Sequence, residues 1–288
     1  MKLFVSRGAA PNFGDELNEY LLPRIFGERF FDEDPSTRFV GIGSVLYDRH
    51  PQEVRKIVFS SGYGGYGNPA VLDESWEVTC VRGPRTARAV GLDPSYAAGD
   101  GAILLNLFRD RAPLKRFKYS FIPHFESLMI GSWPEVAARA GVHLIDPRSP
   151  VKSVLADIEA SEVIITEAMH GAIVADALRV PWIALRPVQD SHRNKWYDWA
   201  EALDIELRPT SLSPSSAAEA LQVLLNRHPS GRIATPLLRL IDAPFKAIAA
   251  QSLRRALCVE PCLSSNKAID RALGHLQDAA FKIKAKYA

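Results

Sequence analysis

Cysteine is scarce: the 288 residues hold three, Cys80, Cys258 and Cys262. A small odd number gives no disulfide framework. A zinc centre at Cys258 and Cys262 would need two further ligands, and no His or Cys stands nearby at suitable spacing. No metal site is therefore expected, and a reducing, cytoplasmic setting is the simplest one. No apolar run reaches the 18 or so residues of a membrane span. The first seven residues hold one short apolar burst and then Arg7, so no export leader is expected. The third glycine of a dinucleotide fingerprint is missing after Gly41-Ile42-Gly43, which disfavours a nicotinamide cofactor. Charge of one sign is lacking too: 35 Lys and Arg stand against 33 Asp and Glu. A body so nearly neutral argues against a nucleic-acid partner.

What is present is an ordinary globular mixture, 47% apolar and 24% charged. It excludes a disordered chain, a collagen-like repeat and a coiled-coil rod. Short apolar bursts alternate with helical patterns. Strands are expected at 2–6, 39–46, 57–61 and 78–81, with helices at 15–26 and 84–90. The basic, proline-containing stretch 109–118 then reads as a boundary. Beyond it, strands are expected at 119–123, 143–146, 163–166 and 182–185. Helices are expected at 134–140, 151–160, 172–178, 195–203 and 215–227. Alternation of this kind predicts an α/β fold with parallel sheets covered on both faces. The expected organisation is two Rossmann-like domains, 1–110 and 116–230, facing a cleft, with a helical tail at 231–288.

That tail is basic. From Arg232 onward there are 10 Lys and Arg against 4 Asp and Glu, whereas the preceding 231 residues hold 25 against 29. Helices are expected at 233–250 and 267–285. The first is expected to pack back across the first domain. The last 20 residues are expected to serve a surface role. Arg254, Arg255, Lys282, Lys284 and Lys286 are suited to an anionic membrane face.

In open α/β sheets ligands bind beyond the carboxyl ends of the strands, so polar residues after each strand are the site candidates. Asn12, Gly14 and Asp15 open the first helix, as a cap or as an anion seat. Gly43 and Ser44 lie within or after the second strand, where glycine permits close backbone approach. Tyr63 lies in the glycine-rich 61–67 loop and can stack on a sugar. Arg82 and Arg85 flank Pro84 at a strand-to-helix turn, placed to clamp a carboxylate or phosphate. Asp100 sits in a Gly-Asp-Gly turn, and His124 ends a strand. Glu167 and His170 share a strand-to-helix turn and suit proton transfer. Lys195 and Trp196 enter a helix, the first for phosphate and the second for a sugar face.

Several of these pieces together resemble the polysaccharide pyruvyl transferase family. They are Asn12-Phe13-Gly14-Asp15, the 41–44 strand end, Arg82-Gly83-Pro84, Gly99-Asp100 and Pro123-His124-Phe125-Glu126. Asp146-Pro147, the stretch 161–171 running on to Pro181, and Lys195-Trp196 with Asp198-Trp199 follow in family order. The resemblance implies two Rossmann-like domains of the B-type glycosyltransferase arrangement. It implies phosphoenolpyruvate as donor, with no other cofactor. The implied acceptor is a sugar of a lipid-linked oligosaccharide or polysaccharide repeat, and the product a pyruvate ketal. Arg82 resembles the donor-holding arginine, and His170 the histidine of an Arg-Leu-His-Gly turn. Here Ala168 stands at the arginine position, so either the missing charge falls to Arg85, Lys195 or Arg186, or the donor sits differently. Two other readings share this architecture. One is a glycosyltransferase using a nucleotide sugar, and the other a non-catalytic polysaccharide assembly factor.

Overall fold

The structure is a computed structural model that describes residues 1–8, 10–187, 192–225 and 239–287. In chain order the first elements are β1 (Lys2–Phe4), α1 (Phe13–Phe26), β2 (Thr37–Val40), β3 (Arg55–Ser61), β4 (Trp76–Val81) and α2 (Pro84–Ala89). A 3-10 stretch, Gly101–Phe108, closes this run. Then come β5 (Phe117–Ile122), α3 (Phe125–Ile130), α4 (Trp133–Ala140), β6 (His143–Leu144), α5 (Val151–Glu159), β7 (Ser161–Thr166), α6 (Met169–Ala177) and β8 (Trp182–Ala184). The last elements are α7 (Asn194–Ala202), α8 (Ala217–Leu225), a 3-10 turn at Arg239–Ile241, α9 (Asp242–Ala256) and α10 (Asn266–Tyr287). The fold is mixed α/β with parallel sheets, as the alternation of strands and helices predicts.

The chain divides into two compact units, and neither is one continuous segment. Unit 1 comprises Met1–Arg109, Ser191–Leu207 and Ser264–Ala288, and unit 2 comprises Asp110–Asp190 and Arg208–Leu263. This corrects the expectation of contiguous domains followed by a tail. The helix at 194–202 and the last helix both belong to the first unit.

Unit 1 is built on a parallel sheet of order β1-β2-β3-β4. Its central strands carry apolar side chains on both faces, as cover on both sides requires. On one face Phe39 and Phe59 meet Phe26 of α1 edge-on or tilted, at 5.0–6.1 Å between ring centres. On the other, Val40, Val58 and Val81 pack with Val45, Leu46, Ala87 and Val90. α1 forms where Asn12 accepts the Gly14 N–H in its side chain and two acids follow in the first turn. Its buried residues Phe13, Leu17 and Leu21 fall four residues apart, and Leu22 and Phe26 continue the same face.

α10 lies against α1, β3, β4 and the Gly101–Phe108 stretch. Ala268, Ile269, Ala272, Leu273, Leu276, Ala279, Ala280 and Ile283 form its buried stripe. The residues expected to serve as a membrane-facing tail are thus part of the core cover. Lys286 bonds Glu77 at 2.8 Å, and Lys284 reaches the Ile25 carbonyl at 3.4 Å.

Unit 2 has a parallel sheet of order β6-β5-β7-β8. Phe121, Ile165 and Ile183 of the sheet pack with Trp133, Val136 and Ala137 of α4 and Ala249, Ala250, Leu253 and Ala256 of α9. α9 therefore packs within unit 2, which corrects the expectation that this helix crosses the first domain. Of the helix expected at 233–250, residues 233–238 lie outside the described residues. α5 and α6 lie together against β7, and α6 also meets β8. α6 is buried almost all round, so its sequence lacks an amphipathic period. α4 ends at Gly141, whose φ of +75° is the left-handed stop that glycine supplies. Short α3 was not foreseen, because six residues are too few to show a period.

Candidate functional site

At the carboxyl ends of β1 to β4, unit 1 gathers polar residues from four loops and from the segment before α7. The organising contact is Arg82, which has no exposed surface. Its Nε donates to Asp198 Oδ2 at 2.9 Å, its Nη1 to Ser44 Oγ at 2.7 Å and its Nη2 to the Tyr63 carbonyl at 3.1 Å. Asp198 also accepts the Thr86 N–H at 2.8 Å and the Thr86 hydroxyl at 2.6 Å. Thr86 Oγ1 in turn accepts the Tyr63 N–H at 2.9 Å. Glycine is required around this knot. A Cβ on Gly62 would stand 2.2 Å from Arg82 Cζ, and one on Gly83 would stand 2.0 Å from the Asp198 carbonyl oxygen.

Arg82 is therefore a brace joining the second and third loops to α7. Expected as a clamp for a carboxylate or phosphate, its guanidinium is buried and already paired with a carboxylate. Arg85 is exposed but tied to Glu201, with Nε 2.8 Å from Oε1. Trp196 is buried, so it cannot cover a sugar face. Asp100 is sealed as well, its Oδ1 accepting the Ala102 N–H, and burial pushes its carboxyl up to about 6 against the pull of Arg82. The expectation that it faces a ligand is corrected.

The backbone donors that open α1 have partners within the turn. The Gly14 N–H is taken by Asn12 Oδ1, and the Asp15 and Glu16 N–H groups by the Asn12 carbonyl. Asn18 clips the second loop through both its amide atoms, each 2.8 Å from the Ile42 backbone. Gly41 must be glycine there, since a Cβ would meet Asn18 Oδ1 at 2.6 Å. Gly43, at φ +127°, turns the chain beside Asp15.

What remains with reactive character is Asp15 and Lys195, with Ser44 and Asn12 around them. Asp15 Oδ2 accepts the Asn12 amide at 2.9 Å. Burial raises its carboxyl to about 6, while the charge of Lys195 and the Asn12 bond pull it back. Lys195 Nζ lies 5.7 Å from the Tyr66 ring centre, and the Tyr66 hydroxyl meets His192 Nδ1 at 2.6 Å. Tyr63 is half-buried, and its hydroxyl donates to the Gly67 carbonyl at 2.5 Å.

In unit 2, Glu167 and His170 follow β7. Glu167 is buried, and its oxygens accept the His124 N–H and the Ser127 hydroxyl, each at 2.9 Å. It braces the start of α3. His124, read as an acceptor ligand, is buried at that same helix start, with Nδ1 3.5 Å from Glu126. His170 is half-buried in the first turn of α6. Gly171 follows because a Cβ there would stand 2.4 Å from Thr166 Oγ1, which itself accepts the Ala168 N–H. Ala168 caps this helix where the resembling pattern has arginine.

Sequence reasoning passed over Asp198 except as part of a motif, because a carboxylate on a helix carries no mark of a partner 116 residues away. It also missed Glu219, whose carboxyl is pushed up to about 7, first by burial, with the charge of Glu167 adding to it. The Tyr66–His192 pair was missed for the same reason as Asp198.

Residues 12–187 match the polysaccharide pyruvyl transferase family. The succinoglycan biosynthesis protein ExoV of Rhizobium meliloti (strain 1021) is 39% identical over 229 residues, covering 77% of this chain and 71% of that protein. The family match holds Asp15, Arg82 and His170, while Asp198 and Lys195 follow it in the chain. The chain belongs to the polysaccharide pyruvyl transferase family.

Proposed function

We propose that this protein transfers the pyruvyl group of phosphoenolpyruvate onto a sugar of an exopolysaccharide repeat as a ketal. The observation that carries this reading is the gathering of a cation, Lys195 beside the Tyr66 ring, and the largely buried Asp15 carboxyl, which feels its charge, with Ser44 and Asn12 at the carboxyl edge of the unit 1 sheet. The family and the succinoglycan relative support the reaction class. A lipid-linked repeat unit is the proposed acceptor, and the two-domain B-type arrangement the proposed architecture.

The donor brings about three negative charges at neutral pH, given a second phosphate pKa near 6. Lys195 is the cation proposed to hold its phosphate, with Ser44 as a hydroxyl donor. The methylene carbon takes a proton, and C2 accepts the first sugar oxygen. The second sugar oxygen then displaces phosphate. Two hydroxyl protons are released, of which one balances the methylene and the other leaves with phosphate. Asp15, at about 6, is suited to exchange protons near neutrality. His170 is proposed as the second proton carrier, as the family turn implies. General acid–base help of this kind is worth about 10²–10⁴-fold.

Phosphate release from phosphoenolpyruvate, followed with extracted lipid-linked oligosaccharide as acceptor, tests the reading. Lys195→Ala is expected to raise KM for phosphoenolpyruvate, and His170→Ala to lower kcat by about 10²-fold or more while leaving Tm unchanged. Turnover of a nucleotide sugar with no response to phosphoenolpyruvate would overturn the proposal in favour of glycosyl transfer.

A further inference from the structure

The glycine-rich loop at 62–67 follows β3, and the reaction proposed above gives Tyr66 no part. Its hydroxyl meets His192 Nδ1 at 2.6 Å, and the two rings lie edge to face, 5.7 Å between centres and at 75°. The same ring lies beside Lys195, whose Nζ is 5.7 Å from its centre. A cation within about 6 Å of a ring centre is attracted by the ring's quadrupole. Tyr66 thus grips the segment that opens α7 at two points, His192 and Lys195.

The loop is shaped to this grip. A Cβ on Gly64 would stand 2.5 Å from Tyr66 Cε2 and 2.7 Å from Cδ2, so the ring lies directly on the Gly64 backbone. That same Cβ would stand 3.0 Å from the Cβ of Ser44, which brings the platform next to the hydroxyl proposed as a phosphate donor. Gly65 faces Asn194 of α7, whose Nδ2 would be 3.9 Å from an added Cβ. All of these residues belong to unit 1. Lys195 is half-buried, and its charge bears on the Asp15 carboxyl. A lysine ammonium on a flexible four-carbon stem takes a fixed place only where something holds it.

We propose that Tyr66 is the positioning residue for Lys195, holding its ammonium where a phosphate monoester binds at the carboxyl edge of the unit 1 sheet. The hydroxyl locks the ring through His192, and the ring holds the ammonium. The inference rests on the reading of Lys195 as the cation that takes the donor's phosphate. Tyr66 acts through Lys195 and not on the donor itself. A side chain ordered beforehand loses less rotamer freedom when its ligand arrives. The contribution therefore falls on affinity and leaves the chemical step alone.

The test is titration calorimetry of the full-length protein with phosphoenolpyruvate and with inorganic phosphate, beside steady-state kinetics. Tyr66→Leu is expected to weaken Kd for both anions about tenfold, and Tyr66→Phe, which keeps the ring, about threefold. Gly64→Ala displaces the ring without altering it and is expected to act like Tyr66→Leu. KM should rise in step, with kcat held within about twofold. In a Lys195→Ala background, Tyr66→Leu should change Kd by less than about twofold, because the cation it holds is gone. Wild-type affinity in Tyr66→Leu, a fall in kcat alone, or an undiminished effect in the Lys195→Ala background would overturn the inference. So would a wild type that binds neither anion. Binding that weakens as expected, without turnover of phosphoenolpyruvate, would instead overturn the ketal reading and leave Tyr66 in its role.

Discussion

Replacing Asp198 with Asn tests whether the Arg82 knot holds unit 1 together. The side chains of the pair are 0% and 2% exposed, so water cannot compensate for a lost charge. Asp198 accepts three hydrogen bonds, from Arg82 Nε, Thr86 N and Thr86 Oγ1. An amide has one oxygen where the carboxylate has two. Either orientation turns an N–H toward a donor, and both leave the Arg82 charge buried without its counter-ion. Breaking a buried pair from one side costs about 3–5 kcal/mol. For a unit of this size that is a fall in Tm of about 6–20 °C by scanning calorimetry. Glu201→Ala supplies the control. Its pairing with Arg85 is exposed, and such pairs are worth about 0–1 kcal/mol. Arg82→Met alone should be as damaging as Asp198→Asn, while the double variant should cost less than the two combined. A loss under about 1 kcal/mol in Asp198→Asn, or simple additivity, would refute the argument that this is a coupled brace.

Two further outcomes follow from the same physics. The Glu219 carboxyl titrates at about 7 in the folded chain against its ordinary 4.5, so the native state holds its proton more tightly than the unfolded one. Unit 2 should therefore lose stability as pH rises from about 4.5 to about 7. Glu219→Gln should flatten that slope in denaturant titrations across the range, and an unchanged slope would count against it. Deleting residues 266–288 removes Ile269, Leu273, Leu276 and Ile283 from the core, at about 1.5–3 kcal/mol each. That approaches the whole stability of a typical domain, about 5–15 kcal/mol. The shortened chain should be insoluble or lack a cooperative unit 1 transition, and a wild-type melting curve would contradict the packing described.

Element types were legible where local rules dominate. Asn12 before two acids, Pro84 after a glycine, and Gly141 after an alanine-rich turn each announce a helix end through backbone chemistry alone. The buried strands showed as apolar runs. Side-chain fate was less legible. Arg82, Asp100 and Glu167 all follow strands, where ligands bind, and chemistry alone suggested reactive groups. Their burial depends on partners distant in sequence: Asp198 for Arg82, and α3 for Glu167. The fate of the basic C-terminus was hidden for the same reason. Its charge is on the surface stripe, and the apolar stripe of α10 names no docking face until the sheet is in place. Asp15 and Lys195 were readable as polar residues at helix starts, but their distance in sequence hid that the charge of Lys195 bears on the Asp15 carboxyl.

The composition of unit 1 from three separated stretches has a consequence for how the chain is made. A ribosome releases residues 1–109 long before the helix that covers their sheet. Until the final residues emerge, Phe59, Cys80 and their neighbours lack their lid, and the nascent first half stays exposed to chaperones. The later-starting unit 2, whose own segments end at Leu263, is complete sooner. Synthesis from the N-terminus thus finishes the second unit first, against the usual vectorial order. An expression fragment cut after Arg109 inherits this incompleteness permanently.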